Sequence, residues 1–572
     1  MVRRFEALAI LCTLAAASVE PEASCDRWAR ARQLTRSAFL RGWRHYELHA
    51  FGKDEVLPLT NGSRDNWSGL AITMVDSLDT MLLMGLDAEY GRARDWLVEH
   101  LPAKIAGGGA APFFEVTIRG LGGLLGAHTL SRDPAVLRLA ELLGRALLPA
   151  LSASASGVPY CTVALGSGEV SCPASELGES IPLSELGSVQ LEFAALAEAV
   201  GDPAISELAD AAISALRRLP SRAGLLPSRV RPRSGGPASK EVGFGSGSDS
   251  FYETLLKRWL QSGGADRRLL RMYRASLVGL EGLLRRSHPS RLLFLSRRNA
   301  ADVGTALPRS LALREQNTFE HLTCFVPGML ALGAATGAGL NATREWEVAR
   351  ELLHTCAQLY SRQPAGLGPE RVAFVTEEAV EAAQAEARAR RGPAGRPGEP
   401  ASREPDVVLR PPTDYDVLDS QWPLRPEFAE SLFVMHALDP EPARRAEHRA
   451  RGEAMLTALL AHCEVAPPGG GLAGLRRTDV AWQPRQANLL ESFFFSETAK
   501  YLYLLFSEPS ELPHALDLGA THVLTTEAHV LPARVGEAAQ SAAAISHSSD
   551  LKMSEQDERA AEAAGHVFPR WW

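Results

Sequence analysis

The chain has 572 residues, 45% of them hydrophobic and 22% charged, with a formal net charge of −8. That composition suits a folded protein of several average domains or one large one. The acidic balance argues against a nucleic-acid partner, which a basic stripe would serve, and no Cys/His spacing suggests zinc.

The N-terminus, MVRRFEALAILCTLAAASVEPEA, places two arginines before an apolar run and a stretch of small residues. This predicts a secretory signal peptide over residues 1–22. The run is shorter than the roughly 20 apolar residues of a membrane span. A short signal anchor is the competing reading, and no later segment is apolar enough to cross a bilayer. Entry to the secretory pathway makes cysteines candidates for disulfides. Beyond Cys12 these are Cys25, Cys161, Cys172, Cys324, Cys356 and Cys463. Cys161 and Cys172 flank the loop CTVALGSGEVSC, and Cys324 and Cys356 stand on two helical segments. The sequence favours these two pairs and leaves the connectivity open. Sequons at Asn61, Asn66 and Asn341 agree with lumenal exposure.

From residue 30 to residue 532 one unit recurs: an apolar helix, a short Gly/Asp/Pro turn, an amphipathic helix. The turns are GLDAE (85–89), SRDP (131–134), GDP (201–203), SGGAD (262–266), TGAGLNA (336–342), LDPEP (438–442) and SEPSE (507–511). Segments that follow, such as AVLRLAELLGRALLPAL and REWEVARELLHTC, carry the 3.6-residue period. Turns this short make the paired helices antiparallel neighbours. Seven such hairpins bury their apolar members best as an inner ring shielded by the amphipathic ones. The expected fold is therefore all-α, an (α/α)7 barrel, with short β-hairpins at GVPYCTVAL and THVLTTEAHVL. An α-solenoid also stacks helical hairpins, but its repeats share length and sequence, and these do not. Two segments fall outside the pattern: a Pro/Arg/Ala/Glu-rich insert, 380–412, expected as a flexible solvated loop, and a low-complexity C-terminal tail, 533–572.

The apolar members carry unexpected charges. In FFEVTIRGLGGLLGAH, Glu115 and Arg119 stand four positions apart among Phe113, Phe114, Ile118, Leu121, Leu124 and Leu125. A buried ion pair costs several kcal/mol unless both partners are well hydrogen-bonded. Glu192, Asp249, Glu427, Glu430 and Glu497 occupy similar positions in later units. Acids on successive inner helices converge on the barrel axis, where repulsion is costly without a function. Clustered carboxylates also raise one another's pKa values, so one stays protonated while another is ionised. Arg119 and Arg425 are placed to hold that balance, and Phe493, Phe494 and Trp422 suit the apolar face of a sugar. Paired carboxylates with water between them perform glycoside hydrolysis. The same cluster also suits a metal, and oxygen-rich surroundings favour calcium, with Thr525, Thr526 and Glu527 of TTEAH as candidates.

In order along the chain, VDSLDTMLLMGL, FFEVTIRGLGGLLGAH, SVQLEF, DSFYETLLK, HLTCFVPGMLALG, LRPEFAESLF, ESFFFSETAKYLYLLF and TTEAH resemble the class I α-1,2-mannosidases, glycoside hydrolase family 47. The resemblance covers residues 30–532. It implies an (α/α)7 barrel and a calcium-dependent, inverting exo-mannosidase that trims α-1,2-linked mannose from oligomannose N-glycans in the endoplasmic reticulum or Golgi, as a monomer. By motif, Glu115 matches the general acid acting through a water, Glu427 the general base and Asp249 the third catalytic acid. Thr526 matches the calcium ligand. Arg119, Glu192, Glu370, Arg425, Glu430, Phe493, Glu497 and Glu527 match substrate-pocket positions. Cys324 and Cys356 match the disulfide of the processing enzymes. A signal peptide in place of a membrane anchor is similar instead to the ER degradation-enhancing mannosidase-like proteins. Gly247 stands where the ER enzyme has arginine and the Golgi enzymes leucine, a position tied to branch preference. The alternative function is a weakly catalytic or non-catalytic oligomannose-binding quality-control factor.

Overall fold

The structure, a computed structural model, describes residues 21–534 apart from 176–177, 222, 300–308, 392–412, 468, 482–484, 515 and 517–520. The expected signal peptide up to residue 20 and the tail from residue 535 lie outside the described residues.

Seven apolar helices make an inner ring. They are Ile72–Asp76 with Leu78–Leu83; Phe113–Glu115, Val116–Leu121 and Gly122–Ser131; Leu183–Gly187 with Gln190–Val200; Asp249–Gln261; His321–Phe325 with Val326–Ala335; Glu427–Leu438; and Phe494–Thr498 with Ala499–Leu505. Each packs on the next and the last meets the first, so the ring closes. Six outer helices follow across the expected turns: Asp87–Ala106, Pro134–Ser152, Pro203–Leu216, Arg267–Leu283, Ala342–Ser361 and Pro442–Cys463. Their starts are chemically marked. Asp133, Asp266 and Asn341 accept hydrogen bonds from the backbone N–H groups of Ala135, Arg268 and Arg344, satisfying donors that a helix start leaves open.

The seventh unit is assembled differently. After its inner helix, SEPSE forms a single 3-10 turn, Pro509–Glu511. The outer partner is the first helix of the described chain, Pro21–His49, which packs on Ala499–Leu505 and Pro442–Cys463. Trp28 stacks on Phe506 with ring centroids 6.1 Å apart. The first helix and the last inner helix of the described residues thus close the barrel together.

The glycines of the second inner helix allow close approach to the first. A Cβ on Gly123 would lie 2.5 Å from the Val75 carbonyl oxygen, and one on Gly126 2.8 Å from Asp79 Oδ2. The last hairpin, His522–Leu524 with Val530–Pro532, packs against Gly122–Ser131, Gln190–Val200 and Asp249–Gln261. Its tip is clamped by four fully buried side chains. Lys500 Nζ donates to both oxygens of Asp79 (3.0 and 2.9 Å) and to the Ala528 carbonyl (2.6 Å). His529 Nε2 stands 3.0 Å from Asp76 Oδ1, and the Val530 N–H donates to Asp79 Oδ2 at 3.1 Å.

The two ends of the barrel differ. Inner-to-outer turns are short, whereas outer-to-inner connections are long and carry the remaining strands, including the sheet of Thr318–Glu320, Arg371–Phe374 and Tyr415–Asp419. One expectation needs correction here. The insert is helical up to Arg391, as Glu377–Arg391, and packs on Arg309–Gln316. Its run VEAAQAEARARR consists of strong helix formers, which outweigh the solvated-loop reading. Both favoured disulfides, Cys161–Cys172 and Cys324–Cys356, are formed, and Cys463 is a buried free thiol.

Candidate active site

Several inner helices open on an acid at the loop-rich end. Asp249 and Glu427 are the first residues of their helices, and Glu115 precedes the π-helical turn Val116–Leu121. These three line a cavity of about 540 Å³ together with Glu185, Glu241, Glu253, Glu430, Glu497 and Glu527, against three arginines, Arg119, Arg229 and Arg425. Carboxylates outnumber cations three to one.

Arg119 joins two walls of this cavity. Its Nε donates to Glu115 Oε2 at 2.9 Å, and its Nη1 donates to Ser492 Oγ at 3.2 Å and to Glu527. Burial works against its charge, but Glu527, Glu115 and Asp76 hold the guanidinium firmly protonated. The Glu115–Arg119 bond spans the π-helical turn, and a second such turn, Phe494–Thr498, carries Glu497. π-Bulges concentrate at functional sites. Phe493 lies between the cations, 5.6 Å from the Arg119 guanidinium and 5.7 Å from that of Arg425.

Glu427 is held by a chain of side chains. Trp422 Nε1, which only donates, reaches the Tyr360 hydroxyl at 3.1 Å. That leaves the Tyr360 O–H to donate to His321 Nε2 at 2.8 Å, so the tautomer assigned to His321 carries its proton on Nδ1, which donates to Glu427 Oε2 at 2.8 Å. Burial would push Glu427 up, but His321 and Arg425 hold it below the usual carboxylate range. Asp249 behaves oppositely. Burial, then Glu320, Glu427 and Glu253, push it up to about 7.

The remaining expected residues divide by position. Thr526 lines the cavity, whereas the buried Thr525 hydroxyl accepts the N–H groups of Glu527 and His529 and so closes the hairpin tip. Glu430 and Glu527 face the cavity and are each pushed up to about 8 by burial. Glu497 goes well above its ordinary value for the same reason. Glu192 stands off the cavity surface, fully buried, with neither carboxylate oxygen hydrogen-bonded and its pKa raised to about 8. Glu370 also lies off the surface and holds Arg425 through two bonds of 3.0 and 2.6 Å. Gly247 borders the cavity at φ 85°, a backbone conformation that favours glycine, and a Cβ there would touch the Ser228 carbonyl oxygen at 3.8 Å and Pro182 at 3.9 Å. Trp422 and Phe494, expected against the sugar, are core residues: the first serves Tyr360 and the second packs edge-on against Phe495.

Sequence reasoning missed His321, Tyr360, Glu185, Glu253 and Lys257. Lys257 Nζ donates to Glu253, to Glu430 Oε1 at 3.2 Å and to the Thr525 carbonyl at 3.4 Å. The signal for Glu253 and Lys257 was available, because DSFYETLLK places them four apart on an apolar inner helix, as Glu115 and Arg119 are. Nothing local marks Tyr360, which lies on an outer helix.

Residues 38–533 match the sequence profile of Glycosyl hydrolase family 47. The chain belongs to this family. Its relatives include a mannosyl-oligosaccharide 1,2-alpha-mannosidase of Arabidopsis thaliana, 33% identical over 543 residues that cover 89% of this chain and 80% of the plant protein. The endoplasmic reticulum mannosyl-oligosaccharide 1,2-alpha-mannosidase of Rattus norvegicus is 32% identical over 498 residues, covering 86% and 67%. Among solved structures, the alpha-1,2-mannosidase from Trichoderma reesei superposes with a TM-score of 0.73 at 25% identity, covering 88% of this chain and 99% of that one. The family 47 fold is the (α/α)7 barrel that the helical periodicity called for. No helix among the described residues is long and apolar enough to cross a membrane.

Proposed function

We propose that this chain hydrolyses terminal α-1,2-linked mannose from oligomannose N-glycans within the secretory pathway, by inversion and with calcium. The observation that carries the reading is the split between Glu427, held ionised, and Asp249, pushed up to about 7, in one acid-lined cavity. Such divergence is how a site keeps an acid and a base at one pH. In this reading Glu427 takes the proton of the attacking water. Glu115, held by Arg119, delivers a proton to the departing oxygen through a second water. Asp249, which keeps its proton more readily than Glu427, serves as the third catalytic acid beside Glu115. Phe493, Glu430, Glu497 and the Arg425–Glu370 pair orient the mannose ring.

The residues present fit calcium. Thr526 offers neutral oxygens on the cavity surface, Glu497, Glu527 and Glu430 line the same cavity, and Glu192 supplies two buried oxygens without hydrogen-bond partners. No trio of acid, histidine or cysteine side chains among the described residues is arranged to hold an ion directly, which suits acids that reach it through water. When bound, calcium supplies positive charge that orients sugar hydroxyls. Two disulfides agree with a lumenal location.

The test is incubation with the nine-mannose glycan, with and without calcium, followed by isomer-resolved mass analysis. Mannose release that chelation stops, with a lower melting temperature, supports the reading; binding without release refutes it. Glycine at 247 offers no side-chain anchor that would favour one branch, so mixed product order is expected, and Gly247→Arg, though strained at φ 85°, should narrow it.

A further inference from the structure

A second cavity lies at the short-turn end, away from the site just described. Its volume is about 680 Å³, and its walls come from the ends of Gln190–Val200 and Asp249–Gln261, the turns that follow, and the start of Arg267–Leu283. Asp249 opens one of these helices in the first cavity, and Arg258 lines the second from the same helix, roughly 14 Å along its axis.

In a protein of net charge −8, this cavity is cationic. Five arginines line it, against two carboxylates, Glu198 and Asp266. Part of that charge is neutralised: Arg268 meets Asp266 at 2.7 Å and Asp210 at 3.4 Å, and Arg534 meets Glu198 at 3.2 Å. Arg258 is different. Its Nε is buried with no hydrogen-bond partner, and burial, with Arg534 and Arg268 nearby, lowers its pKa despite Asp210 and Asp266. A buried N–H left without an acceptor is costly, and an oxyanion that takes two parallel N–H bonds is a partner that satisfies the arginine fork. A second feature points the same way. Arg267, Arg268 and Arg271 fall in the first turns of the helix Arg267–Leu283, where the positive end of the helix dipole disfavours cations and favours an anion.

We infer that this cavity is a binding site for a phosphate or sulfate group carried on a sugar-sized molecule, with Arg258 and Arg271 as its main donors. The volume exceeds that of a bare oxyanion. The arginine forks match the tetrahedral oxygens of either group.

Calorimetric titration of the full chain with a hexose 6-phosphate, and separately with a hexose 6-sulfate, tests the inference and separates the two sources. An uncharged hexose serves as control. The expected result is one saturable site for at least one of the two anions, undisturbed by a mannose-like inhibitor in the catalytic cavity. Arg258→Gln and the exposed Arg271→Ala should each weaken binding about tenfold, the loss of one charge-assisted hydrogen bond, with mannosidase turnover unchanged. Arg271→Ala keeps the test informative should Arg258→Gln fold poorly. Absence of saturable binding by both anions, binding unaltered in Arg271→Ala, or displacement by the inhibitor would each overturn the assignment.

Discussion

The clamp at the tip of the last hairpin and the catalytic cavity are built from the same material, charged side chains on apolar inner helices, yet their electrostatics run in opposite directions. In the clamp, Asp76 and Asp79 face Lys500 and His529, two acids to two bases, all fully buried. Burial alone would raise Asp79, but Lys500 and His529 hold it at about 2. In the cavity, nine carboxylates face three arginines, and burial pushes Glu430 and Glu527 up to about 8. Balanced buried charge fixes geometry, whereas unbalanced buried charge is tolerated where a bound ligand, here the proposed substrate and calcium, would supply the missing partners. One cluster holds the hairpin in place; the other uses the place so fixed, because Thr526 and Glu527 sit on that hairpin's tip.

The sharpest break of this contrast is Glu115→Gln. It should lower turnover on the order of 10³-fold, the range of a lost general acid, while the melting temperature stays within a degree or two and inhibitor binding persists. Wild-type turnover in the folded variant would remove Glu115 from the acid role. In the clamp the expectation inverts. Lys500→Met removes the cation that donates to both oxygens of the buried Asp79, leaving His529 to hold its charge alone, and should cost about 3–5 kcal/mol of stability, read by denaturant unfolding. Unchanged stability there would mean that the clamp is not a structural unit.

The pH dependence separates the clusters further. His529 is raised to about 9 because Asp79 and Asp76 outweigh the burial of its ring, while an unfolded histidine titrates near about 6.5. Its contribution is therefore complete below about pH 6.5 and lost as pH rises through about 9, on the order of 3 kcal/mol. Asp79, lowered to about 2, gives a contribution complete above its unfolded value near about 4 and lost only as pH falls through about 2. Melting curves measured from neutral pH upward should show the alkaline loss, and His529→Gln should flatten it. The smallest effect belongs to Tyr360→Phe. Losing the hydroxyl that orients His321 should reduce kcat by less than about tenfold, with KM unchanged, since Glu427 keeps Arg425 and the Nδ1–H bond. A loss as large as that of Glu115→Gln would show that the relay does more than position the base.

Much of this was legible in one dimension. The 3.6-residue period and six of the seven Gly/Asp/Pro turns give the hairpins, because burial of apolar faces and satisfaction of helix starts are local demands. Glu115, Asp249, Glu427, Glu430 and Glu497 stood out because a carboxylate on an apolar helix is expensive wherever that helix packs. The same logic, applied to cations, would have found Lys257 and Lys500. Other features depend on the closed barrel. The seventh outer helix comes from the start of the chain, because ring closure selects the surface left uncovered, not the next segment. Trp422 and Phe494 became core because their neighbours, not their types, decide which face they occupy. His321 matters only because Tyr360 and Glu427, distant in sequence, converge on its two nitrogens. The sequence by itself determined where charge would be buried; the tertiary structure decided which charges would meet, since pairing energy depends on distances that only the folded ring sets.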